Sequence, residues 1–130
     1  MATTTAAITI SSSDLTADSL SLNKSTTLLK AGLVTGLDQT SGVGRKIYTQ
    51  NTVDTVFAES LYDDDKAHKI YFSNPSTTTS EFFTITLGSQ VVGRIYAGDF
   101  AFIPWNGDSD VKITPSVATT MTLEYLLIFE

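Results

Sequence analysis

The sequence predicts an all-β fold, an antiparallel β-sandwich or barrel, and three features support this prediction. In residues 81–130, short runs of aromatic and β-branched residues follow one another at nearly regular spacing. Turn-forming residues separate the runs, as at Gly88-Ser89 and Asn106-Gly107-Asp108. Charged residues make up only 17% of the chain, and Thr, which favours strands, is abundant. This pattern is typical of antiparallel sheets rather than of alternating strands and helices.

Each strand is predicted from one such run. A strand is expected at 69–73, where Asn74-Pro75 ends it. The five strands of the last third are expected at 82–87, 91–95, 100–104, 110–114 and 120–129. Between residues 47 and 62 the apolar spacing fits both a helix and a strand. We favour a strand there because the threonines in this segment weaken a helix.

The N-terminal part of the chain has a different character. Residues 1–30 are rich in Thr and Ser, with apolar residues in alternating positions. The pattern is too sparse for a sandwich strand and too apolar for a disordered tag, so we expect an extended arm on its own domain or on a neighbour. Glycines recur through residues 31–45, which indicates a long connecting loop. We therefore expect an arm with its Gly-rich loop at 1–44 and a sandwich body at 45–130.

Composition excludes several classes of function. The formal net charge is −6, which disfavours nucleic acid and anionic lipid as partners. There are no cysteines, which removes disulfides, thiolate metal sites and cysteine nucleophiles. No basic segment precedes a long apolar one, and no apolar run approaches the ~18 residues of a membrane helix. We therefore expect no nucleic-acid partner, no membrane partner and no cleaved signal.

Candidate catalytic and metal-binding residues are few. The acidic stretches at 63–65 and 106–110 offer oxygen ligands for Ca²⁺, but their spacing is not that of a calcium loop, and Asp is common in turns. The glycines before Arg45-Lys46 do not have the spacing of a phosphate loop. His68 is the only histidine, and no G-x-S-x-G motif accompanies it. We therefore expect no catalytic residue, no metal, no cofactor and no enzymatic activity.

Two C-terminal features bear on binding. Trp105, with nearby tyrosines, either forms a platform on which a sugar stacks or caps the open end of the sandwich, and we favour the cap. In the last predicted strand, Leu126 and Ile128 make the second face apolar as well. Such a strand is either central in its sheet or covered by another subunit, and we expect oligomerisation.

The sequence resembles the small capsid decoration, or cement, proteins of tailed bacteriophages. The resemblance covers most of the chain and concerns its layout rather than a chemical signature. It rests on the Thr-rich start at 1–9, the turn Ser11-Ser12-Ser13-Asp14-Leu15 with Leu20-Ser21-Leu22, and segments 30–42, 68–74, 93–100, 102–105 and 123–126.

The resemblance implies a jelly-roll-like body with an extended N-terminal arm on the outside of an icosahedral virion shell. The implied partners are the major capsid protein and further copies of the chain, as a homotrimer. The arm residues expected to bind the shell are Thr5, Ile8, Ile10, Leu15, Leu20, Leu22 and Leu28. The residues expected at the subunit interface are Leu126, Ile128 and Trp105. The alternatives are a tail, neck or fibre component and a carbohydrate-binding β-sandwich module.

Overall fold

The structure is a computed structural model that describes residues 2–130, so Met1, the first residue of the predicted arm, lies outside the described residues. The described chain forms strands and one short 3₁₀ helix, Glu59–Leu61. The strands are β1 (Thr5–Ser12), β2 (Leu20–Thr27), β3 (Gln39–Thr40), β4 (Gly44–Tyr48), β5 (Asp54–Phe57), β6 (His68–Ser73), β7 (Phe82–Leu87), β8 (Gln90–Tyr96), β9 (Phe100–Trp105), β10 (Val111–Pro115) and β11 (Met121–Phe129). The all-β prediction is confirmed.

Nine of these strands form an antiparallel sandwich of two sheets. Sheet I has the order β5-β10-β7-β8. Sheet II has the order β3-β11-β6-β9, and β4 pairs with the same edge of β11 as β3. From β4 to β11, the chain crosses between the sheets at every step except β7 to β8, which is a hairpin. The eight strands from β4 to β11, four in each sheet, are thus connected in the order of a jelly roll, and β3 is a fifth, two-residue strand of sheet II.

The core lies between the two sheets, because alternate residues of each strand point inward. In β6, for example, His68, Ile70 and Phe72 are buried while the residues between them are partly exposed. The buried apolar residues of this core are Tyr48, Phe57, Ile70, Phe72, Phe83, Ile85, Ile95, Trp105, Val111, Ile113, Met121, Leu123 and Leu127. Both sheets contribute, so residues 45–130 supply nearly all of the body's core.

A second, smaller core lies on the outer face of sheet II. It consists of Leu28, Leu37 and Ile128, with Leu126 packed against it. The segment that follows β2 is tied to the body, since Leu37 N–H donates to the Leu28 carbonyl at 3.0 Å. Residues 28–48 are thus part of the body, with β3 and β4 where a connecting loop was expected.

The segment at 47–62 is only partly a strand. β4 ends at Tyr48, β5 covers Asp54–Phe57, and the 3₁₀ helix follows. The preference for a strand over a helix is confirmed for β5, but the 3₁₀ turn was not predicted.

Residues 5–27 form a β-hairpin rather than a single extended arm. β1 and β2 pair along their whole length, from Thr5 opposite Thr27 to Ser12 opposite Leu20. The two strands form a sheet of their own. The alternation of apolar residues in this segment does correspond to strands. The two strands pair with each other, however, and not with the strands of the body.

Candidate functional site

The candidate site is the hairpin of residues 5–27, whose two faces differ in chemistry. Residues directly opposite each other in an antiparallel pair share a face. One face, which we call the apolar face, therefore consists of the pairs Ala6–Thr26, Ile8–Lys24, Ile10–Leu22 and Ser12–Leu20. The other, which we call the hydroxyl face, consists of Thr5–Thr27, Ala7–Ser25, Thr9–Asn23 and Ser11–Ser21.

The apolar face is open to solvent. Ile8, Ile10, Leu20 and Leu22 are between 37% and 49% exposed, although all four are aliphatic. Only Ala6, at the base of this face, packs against the small core around Leu28. Contiguous groups of exposed aliphatic residues are a common feature of surfaces that contact other molecules.

The hydroxyl face is held by cross-strand hydrogen bonding. The Thr9 hydroxyl donates to Asn23 Oδ1 at 2.6 Å. This bond joins two residues of one row and fixes the register of the middle of the hairpin. Because the register decides which side chains share a face, it also keeps the four aliphatic residues together.

The tip of the hairpin is ordered by Ser12. Its hydroxyl donates to Asp14 Oδ1 at 3.1 Å and accepts from Leu15 N–H at 3.1 Å. Serine and aspartate in this arrangement are typical of tight turns. The turn leaves Leu15 74% exposed, so the tip presents an aliphatic side chain next to the Asp14 carboxylate.

The base of the hairpin is attached to the body at two points. Leu28 N–H donates to the Thr4 carbonyl at 2.8 Å, which closes the hairpin. Ala31 N–H then donates to Glu130 Oε2 at 2.8 Å, and Ala67 N–H donates to the same oxygen at 3.3 Å. Lys66 Nζ lies 3.7 Å from the other carboxylate oxygen.

The Glu130 carboxylate is charged in this setting. Burial by itself would raise the pKa of Glu130, but the backbone N–H groups of Ala31 and Ala67 and the charge of Lys66 hold that pKa below its usual value. The anionic form is therefore the one that holds the chain at the base of the hairpin.

Of the seven arm residues expected to bind the shell, six lie on the hairpin and are accessible, and the seventh lies inside the fold. The accessible six are Thr5, Ile8, Ile10, Leu15, Leu20 and Leu22. Leu28 is only 3% exposed because Leu37 and Ile128 enclose it. Its placement on a binding surface was wrong, since a side chain that fills its own core is not free to contact a partner.

Two of the three expected interface residues are also buried. Trp105 is 3% exposed, its ring packs against Tyr62 and His68, and its Nε1 donates to the Ser109 carbonyl at 2.9 Å. Ile128 is covered by Leu28 and Leu37. β11 is thus central in sheet II, and this chain's own N-terminal segment covers its second face.

Leu126 remains at the edge of an exposed apolar patch. It lies in one row with Tyr71 and Phe102 across three neighbouring strands of sheet II. Phe100, 61% exposed, stands next to this row with its ring 6.4 Å from the Tyr71 ring. Tyr71 was considered in the sequence only as a neighbour of Trp105 in a sugar-stacking platform. Phe100 and Phe102 were not singled out, although they alternate with the inward-pointing Ala101, Ile103 and Trp105.

His68 and the acidic loops have structural roles. The imidazole is fully buried, its Nε2 donates to the Asp63 carbonyl at 3.0 Å, and its Nδ1 accepts from Glu130 N–H at 3.4 Å. Asp110 Oδ1 accepts from Glu59 N–H at 2.9 Å, which attaches the acidic loop at 106–110 to the 3₁₀ helix. Within residues 2–130, no three Asp, Glu, His or Cys side chains converge as ligands for a metal ion.

Tyr48 and Asp54 form a further polar pair, which links β4 of sheet II to β5 of sheet I. Tyr48 donates its hydroxyl proton to Asp54 Oδ2 at 2.8 Å, and Lys46 Nζ lies 2.7 Å from the same oxygen. Burial, with the Asp54 hydrogen bond and charge, raises the pKa of Tyr48 far above its ordinary value, so its hydroxyl stays a donor. This geometry fixes β4 against β5 rather than forming a reactive site.

Comparison with known proteins adds no relative. No protein-family model matches the chain, and no match was found among curated proteins or solved structures. In the described chain, no helix has the length and apolar character needed to span a membrane. The hairpin and the outer patch of sheet II are therefore the two surfaces from which we infer a function.

Proposed function

We propose that the chain is a structural protein of a bacteriophage virion, a capsid decoration protein that binds the outside of an icosahedral shell and stabilises it. The observation that carries the proposal is the hairpin, an unpartnered two-stranded sheet with one aliphatic face that projects from a jelly-roll body. Jelly rolls are common in viral capsids. The resemblance in layout to decoration proteins supports the same assignment.

The proposed mechanism is mechanical. A protein that binds only the assembled shell stabilises that shell by its binding free energy. Weak contacts add up in a symmetric oligomer. Once one hairpin of the oligomer has bound the shell, the other hairpins are held close to their own sites, which raises their effective concentration there. The hairpin is the proposed shell-binding element, and the major capsid protein is its proposed partner. The outer patch around Leu126 is the proposed contact between subunits of a homotrimer.

Deletion of residues 2–27 tests the role of the hairpin. This deletion leaves Leu28 in its pocket, so the body should fold and give an unchanged near-ultraviolet spectrum. Purified heads that lack the protein should bind the full chain to saturation and should not bind the truncated chain. The control is Leu61→Ser, which changes an apolar residue on the body that is 76% exposed. Full occupancy by the truncated chain would refute the hairpin's role.

Copy number per particle separates decoration from the tail and fibre alternative. Quantitative mass spectrometry of purified particles should give a fixed ratio close to that of the major shell subunit. A much smaller number would place the chain in the tail or neck.

The carbohydrate-binding alternative has lost its main support, since the Trp105 ring is enclosed by Tyr62, His68 and Phe57.

A further inference from the structure

The apolar face of the hairpin has no cover in its own chain. An isolated two-stranded sheet is at best marginally stable in water, because one layer cannot bury its own apolar side chains. Ile8, Ile10, Leu20 and Leu22 are all partly exposed and lie in three consecutive rows. A second layer with complementary chemistry would complete a small core.

The charges on this face are arranged asymmetrically. Lys24 stands in the row of Ile8, toward the base. Asp14 stands at the other end, where the Ser12 hydroxyl holds its carboxylate beside the Ser12–Leu20 row. Lys24 lies four positions beyond Leu20 along β2, so the cation and the anion lie roughly 14 Å apart along the strand. In the described chain, neither Lys24 nor Asp14 takes part in a salt bridge.

We propose that the occupant of the apolar face is the same face of a second copy, packed antiparallel about a two-fold axis at the Ile10–Leu22 row. This operation places the Lys24 row of each copy over the Ser12–Leu20 row of the other. Each Lys24 ammonium then meets the Asp14 carboxylate of the other copy. A parallel arrangement would instead bring the two rows that contain Lys24 together and leave Asp14 far from both ammonium groups, so the charges select the antiparallel one.

The pairing buries eight aliphatic side chains in one small core and leaves two hydroxyl faces outside. It rests on the proposed function only in assigning the hairpin to an intermolecular contact. It moves the four aliphatic residues from a shell contact to a contact between copies. These copies belong to neighbouring trimers, because a two-fold axis cannot pair all three hairpins of one trimer. Leu15 and the row of Thr9 and Asn23 remain on the outside of the paired hairpins, available to the shell.

Single-cysteine variants of the full chain test which face is paired, because the natural chain has no cysteine. Leu22→Cys and Ser21→Cys are neighbours in β2 that lie on opposite faces. A short bis-maleimide should cross-link Leu22→Cys into a covalent dimer in dilute solution, several-fold more than Ser21→Cys. Circular dichroism checks that both variants fold. Equal cross-linking of the two variants, or none of Leu22→Cys, would overturn the proposal.

Charge exchange tests the direction of pairing. Lys24→Glu should raise the dissociation constant of the dimer roughly tenfold, since each substitution acts twice across a two-fold axis. Asp14→Lys should do the same, and the double variant should restore wild-type association in sedimentation. Unchanged association in all three variants would refute the antiparallel arrangement.

Cross-linking and binding experiments on assembled heads distinguish a failure of this inference from a failure of the proposed function. If Leu22→Cys on assembled heads cross-links to the major capsid protein and not to a second copy, the pairing is refuted while the decoration role stands. If the purified chain pairs but does not bind heads, the decoration role fails and the pairing stands.

Discussion

Glu130 Oε2 accepts a hydrogen bond from the backbone N–H of Ala31 at 2.8 Å, although 99 positions separate the two residues. The contact joins the residue after β11 to the segment that leaves the hairpin. With Leu28 buried nearby, it fixes where the hairpin leaves the body. The position of the candidate site therefore depends on one buried carboxylate and one buried leucine.

Glu130→Gln should destabilise the chain in a pH-dependent way. Its pKa in the folded chain lies below the ordinary value of 4.5, so its charge contributes stability above that pH. This contribution is lost as the pH falls through the lowered pKa. Near pH 7 the loss should be about 1.5–3 kcal/mol, the usual contribution of hydrogen bonds to a charged group.

Chemical unfolding of both proteins over a range of pH measures this difference. The gap between wild type and Glu130→Gln should shrink as acid protonates the wild-type carboxyl group. Glu124→Gln is the control, since Glu124 pairs with Arg45, whose side chain is 69% exposed, and should cost well under about 1 kcal/mol. A gap that does not change with pH would contradict the role of the charge.

Leu28→Ala should destabilise the base of the hairpin. The side chain is enclosed, so its truncation removes buried methyl groups and leaves a cavity, at a cost of about 2–5 kcal/mol. Leu29→Ala changes the adjacent and exposed residue and should cost under about 0.5 kcal/mol. Hydrogen exchange of the amides at 28–37 should accelerate in the first variant only. Equal effects of the two variants would contradict the enclosure of Leu28.

Much of the body could be predicted because its signals are local. Alternation and turn residues placed the last five strands within about two residues of their bounds. β4 was missed because glycine weakens a strand, yet a Cβ at Gly44 would run into the Tyr125 ring, so packing requires that glycine. No local rule reveals such a close approach between β4 and β11.

The site was harder to predict because a sequence does not say what covers an apolar face. Leu126 and Ile128 give β11 two apolar faces, which fits both a buried strand and a subunit interface. Only the position of Leu37 and Leu28 over Ile128 decides between them. For the hairpin, the alternation of Leu20, Leu22 and Lys24 and the Ser-Asp turn were signals of a second paired strand.

Trp105 should behave as a core residue in fluorescence. It is the only tryptophan, so the emission of the chain reports on it alone. The emission should be blue-shifted and resist acrylamide, and added sugars should leave it unchanged. Trp105→Phe should cost about 1–3 kcal/mol because the Ser109 carbonyl loses its donor, and Trp105→Ala about 3–5 kcal/mol. Red-shifted emission that a sugar alters would restore the stacking platform.

His68 should carry its hydrogen on Nε2. That nitrogen faces the Asp63 carbonyl, which only accepts, whereas Nδ1 faces the Glu130 N–H, which only donates. Long-range ¹⁵N NMR at alkaline pH should therefore show a protonated Nε2 and an unprotonated Nδ1. His68→Phe keeps a ring among Tyr62, Trp105 and Phe129 but leaves both backbone groups without a partner. It should cost about 1–3 kcal/mol in unfolding free energy. A protonated Nδ1 would contradict the assignment, because two donors would then face each other at the Glu130 backbone.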